Sequence, residues 1–339
     1  MLKKKIYVAY TGGTIGMKKS DQGFVPVNGH LTSAINALPE FHREEMPQFT
    51  INEYQPIIDS SNMTPSDWQR IADDIKQHYD DYDGFVVLHG TDTMAYTSSA
   101  LSFMFENLQK PVIVTGSQIP LSQLRSDGQV NVLNALYIAA NYPINEVGLF
   151  FNNRLYRGNR CIKAYADGFN AFDSPNMQPL LEAGINISVL AGKISVQTEQ
   201  LAEPLKLNRI VPQPIGVVHL YPGISSELVK NVIRQPVKAL ILRSYGVGNA
   251  PQDASLLSCL ALAKSKGIIV VNCSQCIKGK VNMSGYATGN ALSDAGVISG
   301  LDMTLEATLT KLHYLLSQEY DYDTICEMMQ INLRGELSI

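Results

Sequence analysis

The sequence predicts an α/β protein in two parts: a larger N-terminal domain with a mostly parallel sheet flanked by helices, linked to a smaller C-terminal α/β domain. Three observations carry this. Short apolar runs end at glycine or small polar residues, as strands covered on both faces do. Segments with apolar residues at helical spacing alternate with those runs, an order that implies a parallel sheet with helices on both faces. The rhythm breaks between about 185 and 213 and then resumes. A length of 339 residues also suits two domains better than one, with expected bounds of 1–188 and 214–339 and a linker over 189–213.

Taken in order, Lys5–Tyr10 reads as a strand closed by Gly12-Gly13, and Asn52–Ile58 as an extended segment. Thr64-Pro65-Ser66-Asp67 opens a helix, with Thr64 as N-cap, proline in the first turn and an acid after it. Trp68, Ile71, Ile75 and Tyr79 then recur at helical spacing. Gly84–His89 reads as a buried parallel strand, and Met94, Leu101, Phe105 and Leu108 mark the helix after it. Pro111–Thr115, a helix through Val130 to Ala140, and Val147–Phe151 continue the alternation. The stretch from Ile185 to Gln213 is polar, carries Pro204 and Pro212, and reads as a linker with some local strand. Beyond it come strands at Ile215–Leu220, Ala239–Arg243 and Gly267–Asn272, with helices at 225–234, 252–266 and 303–318.

Composition excludes several classes. A net charge of -4 offers no electrostatic footprint for nucleic acid, and the basic run Lys3-Lys4-Lys5 reads as a solvated terminus. The apolar stretch Ile6–Tyr10 is too short for the core of a secretory signal, and no apolar run approaches the roughly 20 residues that span a bilayer. The expectation is a soluble, cytoplasmic protein with no membrane partner. Five cysteines are too few and odd in number for a disulfide scaffold. Cys273-Ser-Gln-Cys276 stands alone, without a second pair or a nearby histidine, and reads as two buried thiols beyond a strand end. The six histidines show no ligand spacing, so neither a metal nor a cofactor is expected.

In parallel sheets ligands bind beyond the carboxyl ends of strands. Three polar clusters fall there: Thr11-Gly12-Gly13-Thr14, Asp59-Ser60-Ser61-Asn62 and His89-Gly90-Thr91-Asp92-Thr93. Hydroxyls, backbone N–H groups and a carboxylate would converge on one crevice. Each cluster also has a plain structural reading. Gly-Gly-Thr can be a tight turn and no more, and matches neither a dinucleotide fingerprint nor a P-loop. Thr91-Asp92 can be a helix cap. His89 reads as a hydrogen-bonded core histidine rather than a base, and Lys163, after the loop Asn152–Arg160, as a solvated lysine.

Together the runs Val8–Gly16 and Gly84–Met94 resemble the two signature motifs of the bacterial-type asparaginase/glutaminase family. The resemblance extends over the chain through Val114–Gln118, Arg125–Gly128 and Gly246–Asn249, and without a secretory signal it is most similar to the cytoplasmic, type I branch. It implies hydrolysis of the side-chain amide of L-asparagine, with Thr14 as nucleophile and Thr91, Asp92 and Lys163 as a hydroxyl–carboxylate–ammonium relay. A threonine hydroxyl needs a base to take its proton. Lys163 would accept one through Thr91, and burial would favour its neutral form. The family also implies substrate contacts from Asp59, Ser60, Ser61, Gly90 and Asp92, with Asn249 supplied by a neighbouring subunit of a homodimer or homotetramer whose sites lie near the interface. Ser61 stands where secreted relatives carry glutamine. One position departs from the pattern. The segment Met17–His30 reads as a mobile lid in which relatives carry a tyrosine that hydrogen-bonds the nucleophile; within Gln22-Gly23-Phe24-Val25-Pro26 the matching residue is Phe24. Glutaminase activity at the same site and a non-catalytic asparagine sensor are the competing readings.

Overall fold

The computed structural model describes residues 3–21, 23–190, 203–234, 236–285 and 287–338. Gln22 and residues 191–202 of the expected linker therefore lie outside the described residues. The chain divides into two compact units, Met1–Asn208 and Arg209–Ile339.

The first unit opens with β1 (Lys5–Gly12), a hairpin of β2 (Met17–Ser20) and β3 (Gly23–Pro26), a short helix α1 (His30–Asn36) and β4 (Gln48–Ile58). Then follow α2 (Pro65–Gln77), β5 (Gly84–Leu88), α3 (Met94–Met104), β6 (Phe105–Glu106), β7 (Val112–Thr115), α4 (Gly128–Asn141) and β8 (Val147–Phe151). Five short strands close the unit: β9 (Arg154–Arg157), β10 (Ile162–Lys163), β11 (Phe172–Asp173), β12 (Leu181–Ala183) and β13 (Ile187–Val189), with β14 (Lys206–Leu207) paired back onto β6. The main sheet has 8 strands in the order β4-β1-β5-β7-β8-β9-β12-β13. The first five are parallel, and β9, β12 and β13 each run antiparallel to the strand before them.

Burial explains the strand patterns. Every residue of β5, β7 and β8 is buried, which requires cover on both faces. On β1, Ile6, Val8 and Tyr10 share a core with Leu31 and Ile35 of α1 and with Val132, Leu136 and Ala139 of α4. Helix α2 begins at a reciprocal capping box between Thr64 and Asp67, with Pro65 in its first turn, and buries Trp68, Ile71, Ala72 and Ile75. Within the segment Met17–His30, read as a lid, β2 and β3 pair antiparallel, and the chain enters α1 through Gly29, which has φ 73°.

The second unit carries β15 (Ile215–His219), α5 (Ser226–Arg234), β16 (Ala239–Ser244), α6 (Ala254–Ser265), β17 (Ile269–Ser274), α7 (Ala287–Asp294), β18 (Val297–Ser299), α8 (Leu305–Leu316) and α9 (Tyr322–Gln330). Its four strands are parallel and adjacent in chain order. The strand expected at Gly267–Asn272 starts at Ile269, because Gly267 (φ 70°) is the left-handed cap of α6, its N–H bonded to Lys264 O. Cys273 lies inside β17 rather than beyond it, with its buried Sγ 3.3 Å from Thr308 Oγ1, and Cys276 is exposed. Burial pushes the Cys273 thiol up to about 11. Both side chains of the Lys311–Glu336 ion pair are fully buried, and Lys311 also donates to the carbonyls of Met329 and Ile331.

Candidate active site

The strand order creates a crevice. From β1 the chain goes out to β4 on one side, then crosses to β5 on the other, so the connections diverge beyond the carboxyl ends of β1 and β5. That is the topological switch point at which doubly wound sheets bind ligands.

Three loops meet there. After β1, Gly12 and Gly13 adopt φ 144° and 92°, a region that costs other residues heavily. A side chain on Gly12 would run into Ile58 at the end of β4, and one on Gly13 into the Gly90 backbone. A side chain on Gly90 would in turn meet Ser60 Oγ. Thr14 follows at once, half-buried, as the first residue of a single 3-10 turn (Thr14–Gly16). The turn is held from outside by Leu121 N donating to Ile15 O at 2.9 Å, and β3 packs beside it. Asp59 caps the turn Ser60–Asn62 through Ser61 N donating to its Oδ1 at 3.0 Å. Thr93 Oγ1 donates to Ser60 O at 2.7 Å, joining that turn to the start of α3.

Beyond β5, Lys163 on β10 donates to Thr91 Oγ1 at 2.9 Å and to Asp92 Oδ1 at 2.7 Å. The side chains of Lys163 and Asp92 are 21% and 61% exposed, so the burial expected of the lysine is incomplete. Thr91 itself is buried.

His89 is enclosed, and burial pushes it down to about 4. Its Nδ1 lies 2.6 Å from Gly90 O, a group that only accepts, so Nδ1 carries the proton and Nε2 accepts from Thr97 Oγ1 at 2.8 Å. The ring thereby fixes the Gly90–Thr91 peptide. Because a trans peptide directs its C=O and N–H oppositely, the Thr91 N–H is aimed away from the histidine.

The structure thus gathers Thr14, Asp59, Ser60, Ser61, Gly90, Thr91, Asp92 and Lys163 around one crevice. Asn249 lies elsewhere in the chain, in the second unit, where its backbone exchanges hydrogen bonds with Tyr245. Phe24, on β3, is 47% exposed. Sequence reasoning passed over Gln118, whose Oε1 accepts from Thr91 Oγ1 at 3.0 Å. A signal was present: Gln118 follows β7 on the edge that carries the other loops. Among the described residues no group of three or more His, Cys, Asp or Glu is placed to hold a metal ion, and no helix is long and apolar enough to cross a membrane.

Residues 5–195 match the family profile "Asparaginase, N-terminal", and residues 214–329 match "Glutaminase/Asparaginase C-terminal domain". The chain is 70% identical over 338 residues to L-asparaginase 1 of Escherichia coli (strain K12), covering 100% of this chain and 99% of that protein. Among solved structures, L-asparaginase I from Vibrio cholerae O1 biovar eltor str. N16961 is 62% identical with a TM-score of 0.90, covering 99% of this chain and 100% of that one. The thermostable L-asparaginase from Thermococcus kodakarensis is 30% identical with a TM-score of 0.88, covering 98% and 99%.

Proposed function

This chain belongs to the asparaginase family, and from that membership we propose that it hydrolyses the side-chain amide of L-asparagine to L-aspartate and ammonia, with Thr14 as the nucleophile. The observation that carries the assignment of roles is the contact of Lys163 with both Thr91 and Asp92, beside the Gly13–Thr14 turn. Thr14 attacks the amide carbon, its proton passing through Thr91 to Lys163 in the neutral form; the tetrahedral intermediate then breaks its C–N bond, the nitrogen takes up that proton and leaves as ammonia, and water cleaves the ester left on Thr14 to give aspartate. The Thr91 N–H, aimed by the His89 clamp, donates to the oxyanion that forms. Asp92 holds the Lys163 ammonium and, with half its surface open, receives the substrate's α-ammonium as well. Ser60, with Ser61 beside it, receives the α-carboxylate, with Asp59 bracing the turn and Gly90 leaving room beside it.

Purified protein is expected to release ammonia from asparagine, and the same assay with glutamine sets the selectivity. Thr14→Ala is expected to lower kcat by several orders of magnitude while leaving the fold intact. Retention of a tenth of the wild-type rate excludes Thr14 as the nucleophile.

We further infer a cytoplasmic homo-oligomer in which Asn249 completes the site of a neighbouring subunit. Mixing inactive Thr14→Ala and Asn249→Ala proteins under conditions of subunit exchange is then expected to restore a fraction of the activity. No recovery despite exchange removes the shared site.

A further inference from the structure

We propose that Gln118 is a positioning residue for the hydrolysis, setting the direction of the Thr91 hydroxyl proton. The inference rests on the reading of Thr91 and Lys163 as the proton relay.

The amide orientation of Gln118 is dictated by its neighbours. Nε2 lies 3.2 Å from Ala166 O and 3.1 Å from Gly168 O. Both are carbonyls and only accept, so the NH2 must face them and Oε1 must face Thr91. At 3.0 Å that oxygen obliges the Thr91 hydroxyl to donate. A hydroxyl has one proton and two lone pairs. The proton goes to Gln118, and one lone pair accepts from Lys163 Nζ at 2.9 Å. A single lone pair remains. In this resting arrangement the remaining lone pair of Thr91 faces the substrate side and accepts from the Thr14 hydroxyl or a water; when Lys163 is neutral, Thr91 passes its own proton from Gln118 to Nζ as that of Thr14 arrives, so the hydroxyl ends as it began.

The residue is itself braced. Its backbone N–H donates to both carboxylate oxygens of Asp127 at 3.0 Å, and Ile119 N donates to Asp127 Oδ1 at 3.1 Å. Asn131 Nδ2 donates to Asp127 Oδ2 at 3.3 Å and to Gly116 O at 2.9 Å. The start of α4 thus locks the segment Gly116–Ile119. In the other direction, the two carbonyls that Gln118 holds belong to the loop that follows Lys163, so one amide orients the hydroxyl and ties down the chain behind the lysine. Such supporting contacts keep reacting groups within the narrow tolerance that catalysis requires.

The test is a double-mutant cycle on kcat. Gln118→Leu is expected to lower kcat about tenfold, the worth of one oriented hydrogen bond, with KM for asparagine changed by less than about twofold. Gln118→Met, close to glutamine in length, is expected to give the same loss if the leucine variant folds poorly. In a Thr91→Val background, Gln118→Leu is expected to cause a clearly smaller fall, because the hydroxyl it orients is gone and only its loop contacts remain to be lost. An equal fold-loss in both backgrounds marks Gln118 as structural only and overturns the proposal, as does an unchanged kcat in Gln118→Leu where Thr91→Val is impaired. A Thr91→Val enzyme with wild-type kcat removes the relay itself, and the proposal with it.

Discussion

Lys163 touches a hydroxyl and a carboxylate at once, and chemistry separates the two contacts. If its task is to move a proton, the residue must be able to lose one, which arginine cannot do. Lys163→Met is expected to be nearly inactive and Lys163→Arg not to rescue it. An arginine enzyme with most of the wild-type kcat means that the lysine is only an electrostatic partner of Asp92. His89 shows the opposite logic at the same scale. Its hydrogen bonds are spent on Gly90 and Thr97, its charge is suppressed by burial, and its work is to hold a peptide still. The sequence reading of His89 as a hydrogen-bonded core residue agrees with this enclosed ring. A solvated Lys163 was the plain reading because no local pattern announces a partner 72 positions away. Only the family motifs pointed to it. Gln118 was missed for a related reason: a polar residue just past a strand looks like loop, and its two backbone partners, Ala166 and Gly168, are distant in sequence.

At the scale of elements, the crevice depends on loops that approach closer than side chains allow. Gly13→Ala would place a methyl group against the Gly90 backbone, at a φ of 92°. Neither loop can yield without moving its strand. The strain and the overlap together are expected to cost about 2–5 kcal/mol, read as a shift in the urea midpoint, with kcat falling as Thr14 moves. An alanine enzyme of wild-type stability and rate means the turn is softer than its contacts imply. The β2–β3 hairpin poses the second question. β3 packs beside the Thr14 turn, and Phe24 lies on it with half its surface exposed. Phe24→Tyr is expected to raise kcat with little change in KM, by supplying a hydroxyl where relatives have one. An unchanged or lower kcat means that the Thr91–Lys163 side carries proton transfer unaided. The hairpin and α1 were illegible as elements because each is too short to show a period. Helix α1 buries only Leu31 and Ile35. By contrast β5, five consecutive buried apolar residues, and α2, with its capping box, could be read directly. The two-residue ladder of β14 with β6 lies inside the segment read as a linker with some local strand.

For the molecule as a whole, burial of ionisable groups gives the two units different responses to acid. In the first unit His89 has a folded value near 4 against about 6.5 unfolded, so the unfolded chain binds its proton first. Its contribution is complete above pH 6.5 and is lost as pH falls toward 4, about 2 kcal/mol of it between pH 7 and 5. In the second unit His313, also pushed down to about 4 by burial, acts in the same sense. There it is opposed by Glu306, which burial pushes up to about 7. The folded state takes up that proton first, so a cost present above pH 7 is relieved as pH falls toward 4.5. The two changes in the second unit offset each other, whereas in the first the carboxyl that burial raises, Asp127, starts from a lower ordinary value than Glu306 and opposes His89 at lower pH. Amide exchange, corrected for intrinsic rates, is expected to show protection in β5 falling between pH 7 and 5 by more than in β16. Equal losses in both strands contradict this account. The α/β architecture itself was legible because a parallel sheet writes its alternation into the sequence. The antiparallel additions β9, β12 and β13 were not, being three or four residues long.

The position of β1 has a consequence for biosynthesis. It is made before both of the strands it sits between, β4 and β5, and the second of those neighbours is not made until residue 88. At elongation rates of about 5–20 residues per second, some 80 residues take roughly 4–16 s. Until then Ile6, Val8 and Tyr10 have no sheet to join on that side and no α4 to cover them. Protease added to stalled nascent chains is expected to cut near residue 10 when about 80 residues are exposed and to spare that site once residue 151 has emerged, with β8 completed. The strand that leads into Thr14 is thus synthesised well before its cover, and for those seconds its safekeeping belongs to whatever receives the nascent chain.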